Sequence, residues 1–423
     1  MKFKIAYVIF LIVCLIYPKL LVLGPISLRH ILTVVMLVWC VFEKGFKFDK
    51  FLKWFCVFLF FSALGAMATG YASAFFGRFF GTYLAAIAMY LSTKVVIKNH
   101  NGSRWVLSAI LIVAVLNALT AIGQFYGNPI ATVLPQLLGI DMSEEMLEFY
   151  ENTEDFHGTY VGGLMGIVTS GYFLSGACIL ALYNKKNAIT VFNWLLFAFV
   201  FYALFLVQER SGFAAAILGT FLYLMVNLVN SKNALLRLVI IFIIAVVVIS
   251  RFGGGLVNLE EMRYSTMGFT DQGRANLSMN GWHYFIDNLL GGIDAYHAAG
   301  NRDPHTIFVN AFLHGGVFGG LVVLIIVFTQ LVKVMRILYQ SYRKKSHSLL
   351  LNAFSIASFC YILNSFFHNA SVASGDVMIF LLWGAVTVLL EMEESANDSP
   401  IVSEDRQRIV ETNTTTECLI TTP

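Results

Sequence analysis

Apolar runs of about 20 residues, the length a helix needs to cross a hydrocarbon core, recur along the whole of this 423-residue chain. Twelve can be placed, at 4–23, 28–42, 51–69, 78–97, 105–123, 158–183, 189–207, 211–230, 234–250, 305–332, 348–367 and 375–391. Charge is correspondingly scarce. Only 13% of residues are charged and 58% are hydrophobic, against about 25% charged in an average soluble domain. That composition excludes a soluble enzyme, a disordered regulator and a coiled coil. A net charge of +3 on this length leaves no basic surface for nucleic acid. The expected fold is all-α, a polytopic integral membrane protein of about twelve transmembrane helices filling residues 1–391.

The ends and the cysteines add little chemistry. Lys2 and Lys4 precede the run Ile5 to Ile16 as in a signal peptide, but no small-residue cleavage site follows. The run continues through Pro18 to Gly24 and reads as an uncleaved first helix. The six cysteines form no C-x-x-C pair, so neither a disulfide framework nor a zinc site is expected. Residues 392–423 are rich in Glu, Asn, Ser and Thr and read as a disordered cytoplasmic tail.

Counting Lys and Arg sets an orientation. With the N-terminus inside, 20 of the 28 basic residues fall on cytoplasmic loops or the tail, as the positive-inside rule requires. Both termini are then cytoplasmic. The outer set is Lys19, Arg29, Arg78, Arg210, Arg251, Arg263, Arg274 and Arg302. Seven of these eight are Arg, whereas fourteen of the inner twenty are Lys. Guanidinium forks bind phosphate and carboxylate bidentately, which a Lys point charge does not. Contact with lipid headgroups would produce the same bias.

Two external loops stand out by length, 124–157 and 251–304. The first is acidic, with Asp141, Glu144, Glu145, Glu148, Glu151, Glu154 and Asp155 and no Lys or Arg. The second is mixed in charge. Within it Trp282, Phe285, Ile286 and Leu289 recur at helical spacing, predicting a short amphipathic helix over Leu277–Leu290 at the membrane interface.

Candidate chemistry lies on the same outer face. Arg210, in Gln208-Glu209-Arg210-Ser211-Gly212, sits on a hairpin too short to leave the membrane surface, where charges are costly and often functional. A loop tip paired locally, Glu209 with Arg210, is the alternative. Asp303-Pro304-His305-Thr306 is a helix start, and His305 in its first turn suits a hydrogen-bond partner or base. Further along, Asn310 and His314 share a face, and Gly315, Gly316, Gly319 and Gly320 predict close helix packing. His314 reads as a packing or hydrogen-bonding residue. No H-x-x-x-H or H-E-x-x-H pattern and no P-loop Lys occurs, so neither a metal nor a nucleotide cofactor is expected.

These outer-face residues resemble a family, the O-antigen polymerase and O-antigen ligase superfamily of bacterial envelope proteins. Three stretches carry the resemblance: Phe156-His157-Gly158-Thr159-Tyr160, Glu209-Arg210-Ser211-Gly212, and a longer ordered series. That series runs Arg274, Trp282, Leu290-Gly291-Gly292-Ile293, Pro304-His305 and Gly315 to Gly320. The chain departs from the family pattern at Thr306, where Asn is common, and at Glu154 and Asp155, where an Arg often stands. The resemblance implies a polysaccharide polymerase in the bacterial cytoplasmic membrane, without a metal or other cofactor. Its partners would be an undecaprenyl-diphosphate-linked oligosaccharide, the bilayer and a chain-length regulator. A sugar hydroxyl attacks the anomeric carbon and the lipid diphosphate leaves. On this reading Arg210 and Arg274 clamp the diphosphate, and His305 orients or deprotonates the acceptor hydroxyl. Arg263, Arg302 and Trp282 are further substrate contacts, Arg263 being the reserve for Arg274. A ligase moving polymer to lipid A core needs the same donor site. A flippase or transporter is the alternative of another class, and would require charged or broken helices near mid-membrane.

Overall fold

A computed structural model describes residues 1–16, 21–23, 26–43, 48–137, 161–183, 190–228, 272–304, 306–344, 347–367 and 371–397. Nearly all of this is helix. In chain order the elements begin with α1 (Lys2–Ile16), strands β1 (Leu21–Leu23) and β2 (Ile26–Ser27), α2 (Leu28–Phe42) and α3 (Lys50–Ala68). Then come α4 (Ala72–Arg78), a π-helical turn (Phe79–Tyr83), α5 (Leu84–Lys98), α6 (Ser103–Phe125) and α7 (Pro129–Leu137). The remainder is α8 (Ile167–Ala181), α9 (Val191–Val207), α10 (Arg210–Leu228), α11 (Gln272–Asp287), α12 (Ile293–Ala298), α13 (Ile307–Lys344), α14 (Leu349–Phe367) and α15 (Val377–Asn397).

Eleven of the twelve expected spans contain a helix; the ninth, 234–250, lies outside the described residues. Among the described residues, five helical stretches are long and apolar enough to cross a membrane: Lys50–Ala68, Ala72–Lys98, Ser103–Phe125, Ile307–Arg343 and Leu349–Phe367. The chain is an all-α protein built of membrane-type helices. Exposed Val34, Val38, Phe60, Ile112, Leu195 and Phe328 on helix faces fit the lipid contact such helices make.

Several spans depart from their expected bounds, among them the tenth, whose helix runs on to Lys344, and three others show specific features at the altered end. The first helix stops at Ile16, and Leu21–Leu23 pairs antiparallel with Ile26–Ser27 instead. Pro18 accounts for the stop, because the residue before a proline is driven out of the helical region. The sixth span begins its helix only at Ile167. Its preceding segment is held by side chains of α6: Gln124 Oε1 accepts from Gly162 N and Gly163 N at 3.0 and 2.8 Å, and Asn117 Oδ1 accepts from Leu164 N at 2.6 Å. The last helix runs on to Asn397, into the stretch read as tail, while 398–423 lie outside the described residues. Within that extension Glu393 accepts from His347 Nδ1 at 2.8 Å.

Hydrogen-bonded polar groups mark two ends of the bundle. At one, Asp49 caps α3 through Leu52 N at 3.1 Å and takes hydrogen bonds from Lys94 Nζ at 2.8 Å and Tyr90 Oη at 2.5 Å. Glu391 joins the same lysine at 3.3 Å. Burial raises the Asp49 carboxyl, but the bonds from Lys94 and Tyr90 outweigh it and hold it below the usual carboxylate range. The other end is where α2, α8, α10, α13 and α15 begin. There the backbone is irregular and the cavity described below opens.

Candidate functional site

Helix α13 is interrupted. Gly316 has φ 63° and ψ −164°, a conformation open essentially to glycine alone. The gap is filled by the α11–α12 connection, whose Gly292 N donates to Leu313 O at 2.9 Å while Val317 N donates to Leu289 O at 3.0 Å. In an unbroken helix those two α13 groups would bond each other. The approach tolerates no side chain: a Cβ on Gly316 would stand 2.6 Å from the Leu290 carbonyl, and one on Gly291 (φ 85°) 2.6 Å from Gly316 N. Gly65 of α3 touches the same Leu290 carbonyl. The close packing expected of this glycine series does occur at Gly315 and Gly319, against Phe58 and Phe61. At Gly316 the role is different, a helix break.

His314 lies in the turn before that break and is 6% exposed. Opposite it stands the second backbone irregularity, the π turn between α4 and α5. Such turns recur at functional sites because one extra residue redirects the side chains around it. Here Tyr83 Oη lies 3.0 Å from His314 Nδ1 and donates to Ala373 O at 2.9 Å. The hydroxyl thus bridges the imidazole and a backbone carbonyl.

Arg78, the last residue of α4, places Nη1 3.5 Å from the same Nδ1 and Nη2 2.6 Å from Asp294 Oδ2. A guanidinium only donates, so at that distance it offers Nδ1 a long N–H contact. Its direct bond is to Asp294, in the first turn of α12. Burial raises the Asp294 carboxyl above its usual range, and Arg78 only partly offsets this. Nearby, His297 Nε2 and Asp303 Oδ1 are 2.7 Å apart. That bond, against the desolvation that opposes it, raises the imidazole above its ordinary value.

On the other side of the π turn is a cavity of about 360 Å³. Arg29, Thr82, Thr169, Ser374 and Asp376 bring its polar groups. Asp376 caps α15, its Oδ1 accepting from Met378 N at 2.8 Å and Ile379 N at 3.3 Å. Arg29 enters from the first turn of α2, and its Nε is buried with no hydrogen-bond partner. Thr82 and Tyr83 are neighbours on the π turn, so one irregular segment lines the cavity and supports His314.

Of the residues expected from sequence, Arg210 is the first residue of α10 and half-buried. Beside it the buried Glu209 carboxylate turns onto the helix start, taking bonds from Ser211 Oγ at 3.0 Å and from Gly212 N. Arg302 is exposed just before α13. Arg274 belongs to the first turn of α11. His305 and Arg263 lie outside the described residues, as does most of the loop 124–157. The amphipathic helix in the second loop is present as α11: Phe285 is buried against α13, with Trp282 packed edge-on to Phe312 at 5.9 Å. Trp282 itself is 39% exposed, and Ile286 and Leu289 face outward.

Sequence reasoning passed over Arg78, Asp294, Arg29 and Asp376; His314, read as a packing or hydrogen-bonding residue, does make a hydrogen bond, to Tyr83. Arg29 and Arg78 did carry a signal, as members of the Arg-biased outer set. Asp294 and Asp376 carried none, since each is a lone acid at a helix start. Comparison with known families, curated proteins and solved structures finds none that matches this chain.

Proposed function

We propose that the chain is a membrane glycosyltransferase of the polysaccharide-polymerase kind, transferring a lipid-diphosphate-linked glycan to the sugar hydroxyl of another repeat unit. The observation that supports it is the distribution of arginine. Arg29, Arg78, Arg210 and Arg302, the members of the outer set whose side chains are described, all fall at the end of the bundle that holds the cavity and His314. A diphosphate leaving group held at one membrane face needs positive charge and preorganised donors there. On this reading Arg210 and Arg274 bind the diphosphate, while His305 serves the acceptor hydroxyl. His314, in α13 beside Arg78 and Tyr83, is a second imidazole at this end of the bundle.

A second reading has a specific observation behind it. The break in α13 at Gly316 is the kind of interrupted helix that transporters use to expose backbone groups to cargo. A gel of surface glycan from a strain lacking the protein separates the possibilities. Loss of a polymerase leaves single repeat units on the lipid A core. Loss of a ligase leaves full-length polymer on the carrier and none on the core. Loss of a flippase traps single units on the inner face. Complementation with Arg210→Ala or Arg274→Ala is expected to abolish chain extension at normal membrane abundance. Near-normal ladders from both would overturn the assignment.

A further inference from the structure

The cavity beside the π turn has a composition that selects its occupant. It presents one guanidinium, Arg29, and one carboxylate, Asp376. A bare diphosphate would meet the carboxylate, and a simple cation would meet the guanidinium, each at close range and in a poorly solvated site where like charges repel strongly. What the pair suits is a neutral ligand that both donates and accepts hydrogen bonds at several points. Three hydroxyls, from Thr82, Thr169 and Ser374, add groups able to do either. Two partly exposed apolar side chains, Leu15 and Met165, supply an apolar wall. A few convergent polar groups against an apolar wall is the usual make-up of a small-molecule site, and about 360 Å³ falls within the usual range of about 300–1,000 Å³.

Among the described residues Arg29 and Asp376 line the cavity without pairing to one another, which leaves both charges able to meet a ligand. Asp376 is half satisfied: Oδ1 takes the two α15 amides, and Oδ2 remains for a donor.

We propose that this cavity holds one neutral sugar ring, its hydroxyls shared between Arg29 and Asp376 and its C–H face against Leu15 and Met165. The proposal rests on the glycosyltransferase reading for its purpose, since a sugar bound here lies behind the π turn from His314. It does not rest on that reading for its chemistry.

The test uses the full-length chain in lipid nanodiscs and saturation-transfer NMR. The probes are methyl glycosides of glucose, galactose, mannose, rhamnose and N-acetylglucosamine, with sodium pyrophosphate and glycine as competitors. At least one glycoside is expected to bind the wild type. Its affinity is expected to fall at least 10-fold in both Asp376→Asn and Arg29→Gln. Asn is itself a good helix cap, so Asp376→Asn retains the start of α15; an unchanged thermal transition checks this. Displacement of the glycoside by pyrophosphate would make the cavity an anion site, and displacement by glycine a zwitterion site; either overturns the proposal. So does failure of every glycoside to bind, or equal binding in both variants. The two readings fail separately: a normal glycan ladder without the protein refutes the transferase, whereas the binding assay stands or falls without turnover.

Discussion

Substituting alanine for Gly316 tests whether the break in α13 is built or incidental. The φ of 63° and ψ of −164° put any other residue in a region that costs about 1–3 kcal/mol. The new Cβ would also stand 2.6 Å from the Leu290 carbonyl and 2.8 Å from Leu289 O, so the α11–α12 connection must withdraw. Withdrawal breaks the bonds Gly292 N to Leu313 O and Val317 N to Leu289 O, each worth about 1 kcal/mol net. The expected loss is therefore about 3–5 kcal/mol, on the order of a hundredfold to several thousandfold in the folding equilibrium. Gly300→Ala is the matched control: φ is 80° there and no atom lies within 4 Å of the new Cβ, leaving only the left-handed backbone penalty of about 1–2 kcal/mol. Reversible unfolding in mixed detergent micelles, with both variants titrated side by side, measures the difference. If Gly316→Ala is as stable as Gly300→Ala, the docking of this connection into the helix does not hold the bundle end together.

The opposite end and the α12 region give two more. Lys94→Met removes the cation that holds Asp49, a contact with side-chain exposures of 9% and 20%, and is expected to destabilise the fold by about 3 kcal/mol. Because Asp49 titrates below its usual range in the folded chain, its stabilisation is full above the ordinary carboxylate pKa and is lost as pH falls through the folded value. Unfolding midpoints at pH 7 and pH 3 are expected to converge between wild type and Lys94→Met at the acid end; a constant gap would refute this. His297 behaves oppositely. Its folded pKa lies above 6.5, so the stabilisation is full below the ordinary imidazole value and fades as pH rises through the folded one, with a worth below about 1 kcal/mol for so exposed a pair. Asp303→Asn is expected to bring the His297 titration, followed by NMR, back down; an unmoved curve would sink the assignment.

What was legible in the sequence follows from what each signal depends on. Helix placement depends on local hydropathy, which is why 28–42 and 51–69 match α2 and α3 almost residue for residue. Helix ends set by tertiary partners were not legible. The stretch before Ile167 is apolar enough to extend α8, yet Gln124 and Asn117 capture its backbone from another helix. The Gly series of α13 announced close approach, but not whether a neighbouring helix or a loop would make it. The same four-residue spacing serves Gly315 and Gly319 against α3, while Gly316 turns its backbone to Leu290. Arg78 was visible as one of eight outer basic residues. Its partner Asp294 is 216 positions away, and no local pattern joins them.

The break in α13 and the π turn after Arg78 serve one another. Interrupting a helix at this depth would leave Leu313 O and Val317 N without partners, which an apolar surrounding does not tolerate. The α11–α12 connection supplies both, through Leu289 and Gly292. Because Gly292 is pinned to Leu313, Asp294 two residues on is fixed beside His314, where Arg78 reaches it at 2.6 Å. The π turn then sets Tyr83 on the imidazole, with Thr82 lining the cavity behind. A straight α13 would satisfy its own backbone and leave the connection no place to dock. The acid would lose its position, and Arg78 would be a buried cation without its carboxylate. The glycines at 291, 292 and 316 thus act on the chemistry of His314 through the backbone alone, without touching it.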